Sequence, residues 1–216
     1  MHKLKSNYIS LTSNERLYCC DLPIIGLTGG IATGKSTASK YLRGLDIPLI
    51  DADQLIHSLY AEDETLEYVS QIAPDVVKTG SINFALLRDR FFRDKELKSN
   101  LEGFLYNKMP QKFLQTLDEV ISSPFQYVVY DVPLLFEKQL TQKLDINILI
   151  YAPSSVQKER LKKRDDQSDE QVEAILAQQI SIEKKREMAQ FCIENTSDIE
   201  GLNRKIHTLF EKLTTQ

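Results

Sequence analysis

IIGLTGGIATGKST, residues 24–37, is the stretch from which the rest of this chain can be read. Gly29, Gly34, Lys35 and Ser36 fill the spacing G-x-x-x-x-G-K-[ST]; a short apolar run, Ile24 to Leu27, precedes it and an amphipathic stretch, Ala38 to Leu45, follows. Strand, loop and helix in that order make a phosphate-binding loop. Its glycines let backbone N–H groups crowd round phosphate oxygens, and the helix opening at its end points a positive dipole at them. Lys35 is then the mobile cation for the β- and γ-phosphates, Ser36 the hydroxyl ligand for Mg²⁺, with Thr37 in support.

Outward from the loop, Gly44 closes its helix in the C′ role, and Ile47 to Ile50 make a second short strand across Pro48. That strand ends at Asp51-Ala52-Asp53, where a helix, Gln54 to Tyr60, takes over; this is the edge at which open α/β sheets hold ligands. Phosphoryl transfer to a hydroxyl needs one carboxylate to accept the proton and another near the metal. Either aspartate suits either task; Asp53 is favoured as base and Asp51 as the metal-side group. From Glu62 to Ser122 the pattern is helical and strand-free, which reads as an inserted subdomain. QYVVY, residues 126–130, and DINILIY, residues 145–151, are buried strands. Asp131, at the end of the first, sits where a metal-sphere aspartate belongs. A helix from Pro153 to Arg164, with a serine near its cap, ends in a basic run in which Arg164 is the candidate cation for the transferring phosphoryl group. Ser168 and Gln171 have capping-box spacing for a helix to Ser181, Phe191 to Ile193 is a last strand, and Ile199 to Leu213 a closing amphipathic helix. His57 reads as a hydrogen-bonded structural histidine. Strands separated by helices imply an α/β fold with a mainly parallel sheet covered on both faces.

The bulk properties agree. With 216 residues, 42% hydrophobic and 27% charged, the chain has enough apolar content for a real core, and a net charge of −4 argues against a nucleic-acid partner. Residues 1–22 carry no motif and read as an N-terminal extension, either a frayed arm or a misassigned start, ahead of a domain over 23–216. Three cysteines make neither a disulfide framework nor a zinc spacing. No stretch approaches the roughly 18 apolar residues of a membrane span. The expectation is a cytoplasmic protein without a membrane partner, monomeric or weakly oligomeric.

These residues resemble the dephospho-coenzyme A kinase family from about Ile24 to Asn195. The resemblance is carried by GLTGGIATGKST (Gly26 to Thr37), IDAD (Ile50 to Asp53), RDRFF (Arg88 to Phe92), DVPLLFE (Asp131 to Glu137), RDD with its following helix (Arg164 to Gln179) and IEN (Ile193 to Asn195). It implies a P-loop NTPase fold with a helical acceptor-binding insertion, about 62–122, and a short lid, about 160–170. It further implies ATP-dependent phosphorylation of the ribose 3′-hydroxyl of dephospho-coenzyme A, with Mg²⁺. By position, Ala32, Thr33, Gly34, Lys35, Ser36 and Thr37 hold the ATP phosphates, Asp53 is the base, Arg164 belongs to the lid and Asn195 lies near the nucleotide base. The chain departs from the pattern in three places. Ala32 stands where the family has glycine, so the loop is expected to do without a left-handed backbone there; Phe84 stands for an arginine and Tyr106-Asn107 for His-Pro. The rival readings are another P-loop small-molecule or nucleotide kinase and an ATP-dependent switch protein.

Overall fold

The computed structural model describes residues 2–121, 124–166 and 168–215. Met1, Ser122, Ser123, Gln167 and Gln216 lie outside them, and with them the first residue of the extension, the last of the insertion and one position of the lid. The described chain runs β1 (His2–Leu4), β2 (Ile24–Gly29), α1 (Lys35–Arg43), β3 (Leu49–Asp51), α2 (Ala52–Tyr60), α3 (Asp63–Ile72), a hairpin of β4 (Val77–Lys78) and β5 (Ser81–Ile82), α4 (Phe84–Arg93) and α5 (Lys95–Val120). It continues with β6 (Phe125–Gln126), β7 (Val128–Asp131), β8 (Ile146–Tyr151), α6 (Ser154–Asp165), α7 (Asp169–Leu176), α8 (Ile182–Met188), β9 (Phe191–Glu194), α9 (Ile199–Leu213) and β10 (Thr214–Thr215). Two compact units result: Met1–Asp51 with Glu119–Gln216, and Ala52–Asp118.

The first unit is built on a five-stranded sheet in the order β3-β7-β2-β8-β9, parallel throughout. β2 and β8 are buried along their whole length, as apolar runs without alternation are when helices cover both faces. α1 and α9 supply Ala38, Leu42, Leu202, Ile206 and Phe210 to the same core. The register sets Leu27 and Asp51 each opposite Asp131, so all three reach the carboxyl edge together. That edge is where β2 hands over to the phosphate loop. No helix among the described residues is long and apolar enough to cross a membrane.

Four local expectations change. Residues 2–22 are not a frayed arm. β1 lies between β10 and β6 in a three-stranded sheet, Leu4 joins the main core, and Arg16 reaches Asp145. Gly44 is right-handed (φ −66), and Asp46 (φ 56) supplies the left-handed residue of the turn into β3. The insertion holds a hairpin whose turn residues, Thr79 (φ 49) and Gly80 (φ 75), both take the positive φ that tight hairpins need. The helix opened by the Ser168–Gln171 capping box stops at Leu176, short of Ser181.

The second unit is helical around that hairpin. α5 buries Leu97, Leu101, Leu105, Met109, Phe113 and Leu117, one every fourth residue, so its apolar stripe winds about 40° round the axis per step. α4 begins at an Asn83 cap whose side chain accepts from Leu86 N.

Candidate active site

The loop between β2 and α1 owes its shape to two left-handed residues. Gly34 has φ 94, and Ala32 has φ 60, so the alanine takes the conformation it was expected to avoid. A side chain in that region costs about 1–2 kcal/mol, and surrounding contacts must sustain it. Thr33 closes the bend by donating from both N (3.3 Å) and Oγ1 (2.9 Å) to Gly30 O. α1 then starts with no side-chain cap and no acidic residue in its first turn. Its leading N–H groups and dipole are what an anion needs.

Behind the loop, Lys35 Nζ pairs with Asp131 Oδ1, and Ser39 Oγ donates to Asp131 Oδ2 at 2.5 Å. Asp131 is nearly fully buried, so its charge depends on these two donors. One strand away, Asp51 lies 3.6 Å from Arg43 Nη2. In front of the loop is a cavity of about 340 Å³ lined by Ala32, Gly34, Ser36, Thr37, Arg164 and Asn195 among others. Six of the residues singled out from sequence thus share one opening. Thr33 is buried, its N–H and hydroxyl both donate to Gly30 O and its carbonyl accepts from Asn195, so it serves the shape of the loop.

Arg164 is held bidentately by its neighbour Asp165, Nε to Oδ1 at 2.8 Å and Nη2 to Oδ2 at 2.7 Å. This hydrogen bonding raises the guanidinium pKa and holds the Asp165 carboxyl below the ordinary carboxylate range. Asn195 Nδ2 donates to Thr33 O at 2.8 Å, and Arg160 Nη2 donates to Asn195 O at 3.0 Å. Sequence reading missed Ser39 and Gln157 and passed over Arg160. The available signal was spacing: Arg160 lies one turn before Arg164 on the same helix face.

Further back, DVPLLFE is anchored by a buried cation. Lys185, with no exposed side-chain surface, pairs with Glu137 Oε1 at 2.9 Å and donates to Pro133 O at 3.3 Å, while Ile180 N donates to Glu137 Oε1 at 3.0 Å. In the second unit, Asp53 sits in the first turn of α2. Phe84 stacks on His57 (centroids 5.8 Å apart) and meets Tyr60 edge-on (5.2 Å), beside a cavity of about 260 Å³ that Leu66 and Ile82 complete. An aromatic cluster thus occupies the position where an arginine was expected.

A parallel sheet whose central strand runs into a glycine loop, with a lysine and a sheet-edge aspartate behind an uncapped helix, defines a P-loop nucleotide-binding protein of the kinase type. The comparisons narrow this. The family model described as dephospho-CoA kinase matches residues 23–201. The dephospho-CoA kinase of Bartonella quintana is 34% identical over 192 residues, which are 89% of this chain and 98% of that one. That of Wolinella succinogenes is 36% identical over 190 residues, 88% of this chain and 94% of its own. Among solved structures, the dephospho-CoA kinase from Campylobacter jejuni superposes with a TM-score of 0.67 at 28% identity, covering 88% of this chain and 96% of that one. This chain belongs to the dephospho-CoA kinase family.

Proposed function

We propose that this protein transfers the γ-phosphoryl group of ATP to the ribose 3′-hydroxyl of dephospho-coenzyme A, completing coenzyme A. The observation that carries the reading is the uncapped start of α1, where Lys35 pairs with Asp131 and where Ser36 and Thr37 open on the cavity that Arg164 also lines. Ala32 to Thr37 receive the phosphates and Asn195 borders the nucleotide base. Lys35 exchanges Asp131 for phosphate oxygens when ATP arrives and neutralises charge that grows as the bond to the leaving oxygen breaks. Asp53 accepts the proton of the 3′-hydroxyl, and Arg164 leaves Asp165 for the transferring group. The insertion, about 62–122, receives the acceptor, and the segment about 160–170 closes as a lid.

Among the described residues, no cluster of three metal-ligating side chains is present. Both Asp131 oxygens already accept hydrogen bonds. This donor set fits a hard cation ligated chiefly by phosphate and water, such as Mg²⁺. Ser36, Asp51 and Asp131 would hold it, directly or through water, and it would screen the phosphate charge. Three cysteines without disulfides suit a cytoplasmic setting. A monomer or weak oligomer with no nucleic-acid or membrane partner completes the reading.

The test is ATP consumption with a panel of acceptors: dephospho-coenzyme A, nucleoside monophosphates, shikimate and gluconate. Only dephospho-coenzyme A should stimulate turnover, and phosphorus NMR should find the new phosphate on the ribose 3′ position. Equal stimulation by another acceptor would sink the assignment.

A further inference from the structure

We propose that Gln157 and Arg160, one turn apart on α6, are positioning residues for the phosphate loop. Together with Asn195, they hold three consecutive carbonyls from outside so that the loop keeps its anion-receiving shape before any nucleotide arrives. Gln157 Nε2 donates to Ile31 O at 2.6 Å, Arg160 Nη1 to Ala32 O at 3.3 Å and Asn195 Nδ2 to Thr33 O at 2.8 Å. Arg160 Nη2 also takes Asn195 O at 3.0 Å, which ties the third brace to the second. In a trans peptide the carbonyl and the following N–H point opposite ways. Fixing the carbonyls of Ile31 and Thr33 toward the braces therefore turns the N–H groups of Ala32 and Gly34 to the other side, as an anion-binding concavity requires.

Three further observations fit this role. Gln157 and Asn195 are only 3% and 6% exposed, and amides are buried that deeply when they are hydrogen-bonded. The loop glycines leave the room the amides use: a Cβ on Gly30 would come within 2.6 Å of Gln157 Nε2, and one on Gly34 would fall on Asn195 Nδ2. Ala32, the residue with most need of support at φ 60, lies in the middle of the braced run. α6 presents Gln157, Arg160 and Arg164 at i, i+3 and i+7, one helix face, so the helix that braces the loop also carries the lid arginine.

This inference rests on the loop receiving nucleotide phosphates and not on the identity of the acceptor, so its test uses no acceptor. Titration with fluorescent methylanthraniloyl-ADP compares the wild type with Gln157→Met, which keeps side-chain length and loses the donor. Affinity should fall about tenfold. Ala32→Gly lets the loop adopt its left-handed residue without help, so in that background Gln157→Met should cost less than threefold. A loss under twofold for Gln157→Met, or the same loss with and without Ala32→Gly, overturns the proposal. Should Gln157→Met fail to fold, Gln157→Asn withdraws the amide by one methylene and carries the same expectations. If nucleotide binds as described but dephospho-coenzyme A is not phosphorylated, the kinase reading fails and this one stands.

Discussion

Asp145 in the sheet unit and Asp75 in the insertion are both aspartates paired with arginines, and they are held in opposite ways. Asp145 has no exposed side-chain surface and accepts from Arg16 Nε (2.8 Å), Ile24 N (2.9 Å) and the backbone N–H groups of Ser10 and Leu11 (3.2 Å each). Asp75 meets Arg90 at 2.8 Å with side chains 42% and 44% exposed. The contrast extends further. Lys35–Asp131 and Lys185–Glu137 are buried or nearly so, whereas each ion pair described in the insertion keeps at least one partner 35% exposed or more. A buried charge with several donors fixes atoms to one geometry, and removing a partner leaves a desolvation penalty; an exposed pair is screened and adds little. The sheet unit therefore has buried carboxylates, Asp145 above all, that several donors fix in place, whereas the pairs described in the insertion lie at its surface.

The contrast can be tested from its strongest consequence to its weakest. Lys35→Met should lower kcat/KM by at least about 10³-fold, since it removes the cation aimed at the phosphates; a smaller loss in steady-state kinetics would detach the buried pair from catalysis. Asp53→Asn, in the second unit, should cut kcat by about 10²- to 10³-fold with little change in ATP KM, as loss of a general base does. Near-normal turnover would return that role to Asp51. Asp145→Asn should reduce stability to urea by about 3 kcal/mol, because Arg16 is left buried without its counter-charge. Ala32→Gly should raise stability by about 0.5–1 kcal/mol, because it relieves a left-handed alanine. Arg90→Ala should leave the urea midpoint unresolved from wild type. Arg90 holds the Asp75 carboxyl below its ordinary range. Whatever the pair adds is therefore complete above about pH 4 and lost as pH falls through the lowered value. A midpoint difference that appeared only at pH 8 would contradict this.

Much of this was legible because the signals are local. Residues 24–37 carry glycine spacing, cation and hydroxyl in one window, and the apolar runs 128–130 and 146–151 are buried strands, although the expected strand 126–130 is divided, with Gln126 in β6 and Val128 opening β7. The parts that escaped are those whose partners lie far along the chain. Arg16 and Asp145 are 129 residues apart, Gln157 and Ile31 126, Asn195 and Thr33 162. No periodicity records such a meeting. β4 and β5 escaped for another reason: two residues each are too few to show alternation. Ala32 misled because its type argues against φ 60, and only its neighbours explain the exception.

The small terminal sheet has a mechanical consequence. Lys3 lies opposite Thr215 and Leu4 opposite Thr214 in an antiparallel pair, so residues 2 and 215 leave the sheet on the same side. A load applied through these two ends peels β1 from β10 one residue at a time instead of shearing all their bonds at once. An unfolding motor gripping them would meet little resistance at first and then a steep rise on reaching the parallel strands around β2. In a pulling experiment that is a low early step, well separated from the force at which the phosphate loop comes apart.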